Sequence, residues 1–246
     1  MRLLLAILSL IFFGCSLRDG TPPKKPAQSL RLLSEYRLAI PEPSGLSLGS
    51  GGASLWTVSD RTGRVYRISL TGTVLQELPF AGTDLEGVAF DSLRHCLWVT
   101  EEKTREIVEL NLQGREIQRR RILEGSDNSG LEGICVDSQG TLFTLKEKNP
   151  GLFIRLKPDF SVDQKWRLNF APDFSGICAD TSRGKFWIVS DQGRKLFLWS
   201  PEGGVFEQFS LSFPKAEGVA WDFVRHRLYI VSDSEQKLFV FLLEEN

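Results

Sequence analysis

Two short stretches decide the fold: Leu85-Glu86-Gly87-Val88-Ala89-Phe90 and, just downstream, Leu97-Trp98-Val99-Thr100-Glu101-Glu102. Their pattern returns four more times along the chain. Gly45, Gly87, Gly133, Gly176 and Gly218 recur at spacings of 42, 46, 43 and 42 residues. An aromatic stands 10 or 11 residues after each glycine: Trp56, Trp98, Phe143, Trp187 and Tyr229. An acid follows each aromatic by 4 residues: Asp60, Glu102, Glu147, Asp191 and Asp233. Such self-similarity marks an array of supersecondary units that bury their apolar faces against one another.

Within one copy the pattern is that of strands. Gly87 to Phe90 is short and apolar, and Asp91 to His95 makes a turn. Cys96 to Thr100 is rich in β-branched and aromatic residues, as a half-buried strand requires. A turn at Lys103 to Arg105, a third strand at Ile107 to Leu110 and a more polar fourth strand at Glu116 to Leu123 complete the unit. Four strands whose polarity rises outward predict a propeller blade. Fourth strands follow the first four repeats at Val74–Phe80, Ile117–Leu123, Val162–Phe170 and Val205–Leu211, but the fifth repeat ends at Phe239-Val240-Phe241 without one. Leu30 to Ile40, at the other end of the chain, can supply it. The reading is all-β: one five-bladed propeller over residues 30–246, closed by an N-terminal strand. A sixth blade lacks residues to build it.

Ahead of the repeats, Met1-Arg2 and the apolar run Leu3 to Phe13 have the pattern of a targeting signal, too short to span a bilayer. Phe13-Gly14-Cys15 resembles a bacterial lipobox, with Cys15 as the lipidated residue; a plain secretory signal is the alternative, since Phe12 stands where Leu is preferred. Residues 16–29, with Thr21-Pro22-Pro23-Lys24-Lys25-Pro26, form a solvated, stiff tether. This predicts an envelope lipoprotein held by its lipid alone, on the outer rather than the inner membrane because Ser16 is not Asp; without lipidation it would be periplasmic or secreted. Cys96, Cys135 and Cys178 cannot all pair, and buried free thiols are expected.

A formal net charge of −1 offers no electrostatic case for nucleic acid. Arg119-Arg120-Arg121 fits the charged face of an outer strand. The only two histidines, His95 and His226, fall in equivalent hairpins away from the repeated acids, which argues against a Ser-His-Asp triad or a His-built zinc site. Gly49 to Gly52 bridges two strands and lacks the Lys of a phosphate loop.

The repeated polar residues are the candidate site. Strand one begins, and strand two ends, at the same face of an antiparallel blade. One ring there holds Ser44, Glu86, Glu132, Ser175 and Glu217; a second holds Asp60, Glu102, Glu147, Asp191 and Asp233. Up to eight carboxylates converge on one mouth, with Lys146, Arg64 and Lys195 expected nearby. Like charges so crowded need protons or a cation. An all-oxygen donor set without His or thiolate suits Ca²⁺. The expected ligands are chiefly Glu86, Glu132 and Glu217, with the second ring in support. Structural readings stand beside this one: a second-ring acid can accept backbone hydrogen bonds from its own turn, and a first-ring Glu can bond the backbone of the next blade. The glycines fit crowding of inner strands, the aromatic series fits inter-blade core, and Asp91, Asp137, Asp180 and Asp222 fit hairpin turns.

Leu85-Glu86-Gly87-Val88-Ala89, Leu97 to Glu102, Lys146 to Phe153 and the recurring Val-Ser-Asp together resemble the SdiA-regulated family of bacterial envelope propellers, from Leu30 to the chain end. The resemblance implies the fold and the compartment but no activity. Glu-Gly opening an inner strand is also similar to the gluconolactonase and senescence-marker propellers, which have six blades and in which such a Glu binds a divalent metal. The function expected is a monomeric, non-catalytic binding module that takes a cation at the mouth and presents a face to a small ligand or an envelope protein. The alternatives are a metal-dependent hydrolase of lactones, esters or phytate-like substrates, and a purely structural envelope component.

Overall fold

The computed structural model describes residues 28–125 and 129–245. The expected signal, Cys15 and the tether as far as Ala27 lie outside the described residues. Five four-stranded sheets stand in a ring. Blade 1 comprises β2 (Pro43–Leu48), β3 (Leu55–Ser59), β4 (Arg64–Ile68) and β5 (Val74–Glu77). Blade 2 comprises β6 (Leu85–Asp91), β7 (Cys96–Glu101), β8 (Glu106–Asn111) and β9 (Glu116–Arg121). Blade 3 holds β10 (Leu131–Val136), β11 (Leu142–Lys146), β12 (Gly151–Leu156) and β13 (Val162–Leu168). Blade 4 holds β14 (Gly176–Asp180), β15 (Lys185–Ser190), β16 (Lys195–Ser200) and β17 (Gly204–Ser210). Blade 5 takes β18 (Ala216–Asp222), β19 (Arg227–Ser232) and β20 (Lys237–Glu245) from the chain end, and its outer strand is β1 (Gln28–Arg37).

The ring thus closes as the repeat count predicts. β1 runs antiparallel to β20, from Gln28 opposite Glu245 to Arg37 opposite Lys237. It starts two residues earlier than expected and stops at Arg37, where its partner strand begins: Leu38 still donates its N–H to the Gln236 carbonyl, but Gln236, at φ 49°, belongs to the turn before β20. Leu38 and Ile40 are then buried between blades 5 and 1.

Each blade buries its faces against its two neighbours, so the core is divided into five inter-blade clusters. Trp56, Trp98, Phe143, Trp187 and Tyr229 each belong to a different cluster. The recurring aromatic is therefore core, as its β-strand setting implies. The innermost strands touch at the repeated glycines. A Cβ on Gly218 would lie 2.4 Å from the Gly45 carbonyl carbon, and one on Gly45 would lie 2.8 Å from the Gly87 Cα. No side chain larger than hydrogen fits between blades at that level. Cys96, Cys135 and Cys178 are buried and unpaired. Burial raises the pKa of all three thiols. The outer strand β9 is exposed throughout, and Arg119 there pairs with Glu101, Glu106 and Glu116.

Candidate functional site: an acidic channel mouth

Local backbone geometry aims the first ring. In blades 2 and 5 the pairing shifts across the glutamate: Leu85 pairs with Glu101 but Gly87 with Thr100, and Ala216 pairs with Ser232 but Gly218 with Val231. In blade 3 the shift falls between Leu131 and Ile134, around Glu132. An extra residue at such a bulge leaves the ladder and re-aims its side chain. Glu86, Glu132 and Glu217 accordingly line a cavity of about 220 Å³ at the head of the channel, with Ser44 and Ser175.

All five second-ring acids line the same cavity. In three blades their own turns do not need them, because the preceding serine caps the turn instead. Ser59 Oγ accepts the Thr62 N–H at 3.1 Å, Ser190 Oγ that of Gly193 at 3.0 Å and Ser232 Oγ that of Glu235 at 3.3 Å. In blade 2, Glu101 Oε2 accepts from the Thr104 hydroxyl at 3.1 Å. Where second-ring acids do meet backbone, it is that of the next blade: Glu102 accepts the Gly130 N–H at 3.0 Å and Asp191 that of Lys215 at 2.9 Å. The hairpin acids on the opposite face, by contrast, do cap their own turns, as Asp91 does for Leu93 and Arg94.

A third ring was not read from the sequence. The residues three before each repeated glycine are Glu42, Asp84, Gly130, Asp173 and Lys215. Glu42, Asp173 and Lys215 line the cavity, which ten carboxylates surround. Asp84 stands among them, its Oδ1 2.8 Å from Lys103 Nζ and its buried Oδ2 without a hydrogen-bond partner. The cations expected nearby are directed elsewhere. Lys146 reaches Ser129 and the carbonyl of Lys148, Arg64 reaches the carbonyl of Pro79, and Lys195 reaches Gln208. Lys215 takes their place, 3.0 Å from Asp191 and 3.6 Å from Glu217, while Lys148 pairs with Glu147.

The carboxylates gather in threes that straddle blade boundaries. Oxygens of Asp60, Asp84 and Glu86 lie within 4.8 Å of one another, and so do oxygens of Glu102, Glu132 and Glu147. Glu217 lies across the mouth beside Lys215 and outside both trios. Ser44, from blade 1, donates to Glu86 Oε2 at 2.7 Å. No hydrogen bond reaches the Glu132 carboxylate among the described residues, though only 7% of that residue is exposed.

Crowding shows in the acid strengths. Burial, helped by the neighbouring carboxylates, holds Glu86 and Glu132 well above the ordinary glutamate range, in Glu86 against the lowering hydrogen bond from Ser44. Burial and the adjacent Asp84 push Asp60 up to about 6. Burial lifts Glu217 to about 7 against the pull of Lys215. Burial also raises Glu102 and Asp233. Desolvation without enough positive partners disfavours each charge. The arrangement can accept protons or bind a hard cation, and the buried free oxygen of Asp84 fits a cation ligand.

Comparison with known proteins bears on the fold and the family. The chain is similar to glutaminyl cyclase of Myxococcus xanthus, with a TM-score of 0.72 at 16% identity over 90% of this chain and 99% of that one. It is also similar to a gluconolactonase of Xanthomonas campestris, with a TM-score of 0.58 at 14% identity over 91% and 98% of the two chains. Virginiamycin B lyase of Staphylococcus aureus gives a TM-score of 0.51 at 18% identity over 86% and 70%. At these identities the likeness is one of fold. A family model described as SdiA-regulated matches residues 35–242, from within the closing strand β1 to within β20 of the fifth blade. The chain belongs to the SdiA-regulated family.

Proposed function

We propose that this protein is an envelope-tethered binding module whose channel mouth takes a divalent cation, Ca²⁺ by its chemistry. The supporting observation is the pair of carboxylate trios, Asp60–Asp84–Glu86 and Glu102–Glu132–Glu147, each with oxygens within 4.8 Å. Ca²⁺ takes six to eight oxygen ligands, and carboxylates with water fill such a shell. Glu86 and Glu132 serve in one trio each; Glu217 contributes to the field of the mouth from the opposite side. The cation offsets the mutual repulsion of the acids and offers open coordination positions to a small polar ligand. Among the described residues no aromatic lines the mouth cavity, so a hydrated cation suits it better than a quaternary ammonium, whose recognition uses aromatic faces. Cys15 holds the module at the envelope through its lipid, by the lipobox reading.

The test is thermal unfolding of the full chain in EDTA and in millimolar Ca²⁺. A rise in Tm with Ca²⁺, absent from the Glu86→Gln/Glu132→Gln variant, supports the reading, because a ligand that binds only the folded state stabilises it. An unchanged Tm in the parent protein sinks it.

One observation favours a second reading. Glu217, at about 7, is a carboxylate whose acidity suits a general base at neutral pH. In a hydrolase it would take the proton from an attacking water. Lactone, ester and phosphate-ester substrates, tested against parent and Glu217→Gln protein, separate the two readings: turnover lost in the variant supports catalysis, and no turnover in the parent leaves the binding module.

A further inference from the structure

β1 enters blade 5 at the face opposite the acidic mouth. Gln28 stands opposite Glu245, at the far end of β20 from Lys237. Its Oε1 accepts from Arg183 at 3.2 Å, beside the β14–β15 hairpin. The residues upstream, led in the anchored reading by the lipidated Cys15, therefore join the fold at the hairpin face.

That face carries apolar side chains of its own. Leu93 at the tip of the β6–β7 hairpin is 62% exposed, and Phe223 and Val224 at the β18–β19 tip are 56% and 83% exposed. Every other large exposed hydrophobic residue among those described lies on an outermost strand, at the rim of the disc. The two tips flank the short loop of blade 1, Ser50–Gly52, which Arg225 fastens by donating to the Gly52 carbonyl at 3.1 Å. Charge is layered at both tips. Arg94 is 37% exposed over a fully buried Asp91, and Arg225 is 42% exposed over Asp222 at 2%. The cations look outward and their counter-ions lie beneath. Apolar tips beside outward arginines match the two layers of a membrane interface, where ring and aliphatic groups enter the acyl boundary and guanidinium groups meet phosphate.

We propose that the arc of hairpins on blades 5, 1 and 2, with Phe223, Val224 and Leu93 at its tips, seats on the surface of a phospholipid bilayer and turns the acidic mouth away from it. From Cys15 to Gln28 the tether reaches at most roughly 45 Å, which permits this contact without imposing it. The carboxylate mouth, by its charge, is the face an anionic bilayer repels. The inference rests on the anchored reading of the N-terminus and is independent of cation binding.

The test uses the full chain on vesicles of phosphatidylethanolamine and phosphatidylglycerol. Flotation reports whether the chain is anchored at all. Depth is read from one added tryptophan, Val224→Trp at the hairpin tip or Arg61→Trp on the mouth side, with the emission of the parent protein subtracted and brominated acyl chains as quencher. The Val224→Trp emission is expected to shift to the blue and to lose about half its intensity, and Phe223→Ser in that background to weaken the quenching. The Arg61→Trp emission should remain unquenched. Equal absence of quenching at both positions in floating protein overturns the seating while leaving the anchor. A chain that does not float overturns both, and the Ca²⁺ melting experiment stands apart from either result.

Discussion

Ser44 on blade 1 shares its one hydroxyl proton between two acceptors of Glu86 on blade 2: its Oγ lies 2.7 Å from Glu86 Oε2 and 2.9 Å from the Glu86 carbonyl oxygen. This one hydroxyl, on a residue only 2% exposed, joins two blades and fixes a carboxylate of the mouth. Removing it leaves a buried carboxylate without its donor. Ser44→Ala should cost about 1–2 kcal/mol in urea unfolding in EDTA, and Ca²⁺ should recover part of the loss. A stability equal to that of the parent would show that the bond contributes nothing across the interface.

The mouth should make the metal-free protein sensitive to pH. Asp60 rises from an ordinary 3.8 to about 6 and Glu217 from 4.5 to about 7. Between about 4 and 7 the folded state therefore keeps protons that the unfolded chain has released. The contribution of these two groups is fully present below that window and is lost as pH rises through it. Unfolding in EDTA should show Asp60→Asn/Glu217→Gln gaining on the parent as pH climbs from 5 to 8. A difference that is flat or reversed across the window would contradict the assignment.

The closed ring of glycines should tolerate no methyl group. Gly218→Ala places a Cβ 2.4 Å from the Gly45 carbonyl carbon and 2.6 Å from the Leu46 nitrogen, both backbone atoms of blade 1. Backbone cannot yield as a side-chain end does, so the cost should be about 3 kcal/mol or more. Circular-dichroism melting of this variant against Gly184→Ala separates crowding from backbone strain. Gly184 has a positive φ, of 60°, which Gly218 does not, and a Cβ there meets nothing within 4 Å.

β1 should be indispensable rather than decorative. It pairs with β20 along nearly its whole length and lays Leu30, Leu33 and Tyr36 against the neighbouring clusters. A chain lacking residues 28–37 would leave β20 as an open, apolar sheet edge, a template for association between molecules. Size-exclusion chromatography should show aggregates; a monodisperse monomer would mean that the ring closes without the strand.

The blades were legible because one constraint repeats five times: Gly45 and its four counterparts touch neighbouring backbone, and an aromatic such as Trp98 fills each interface. Such positions accept few residue types, so the spacing survives in plain sight. The mouth was legible in part, for Glu86 and Asp60 belong to series of uniform chemistry. The third ring was not, because Glu42, Asp84, Gly130, Asp173 and Lys215 share a backbone role without sharing a side chain. In four of them the carbonyl receives the N–H of the second-ring acid in the same blade, as Glu42 does from Asp60 at 3.2 Å, and any residue can do that. The trios depend on how successive blades pack: Asp60 ends a strand of blade 1, while Asp84 and Glu86 open blade 2. Arg64 and Lys195 were misplaced because strand ends near a rim offer long side chains several carbonyls, and Pro79 and Gln208 lie on the outer side.

Anomalous diffraction from crystals soaked in Tb³⁺, a strongly scattering stand-in for Ca²⁺ with the same preference for oxygen, tests the central claim most directly. The account predicts a peak among the oxygens of Asp60, Asp84 and Glu86, of Glu102, Glu132 and Glu147, or of both trios, at roughly 2.3–2.6 Å from the ligands. Strong peaks elsewhere with none in the mouth would contradict it.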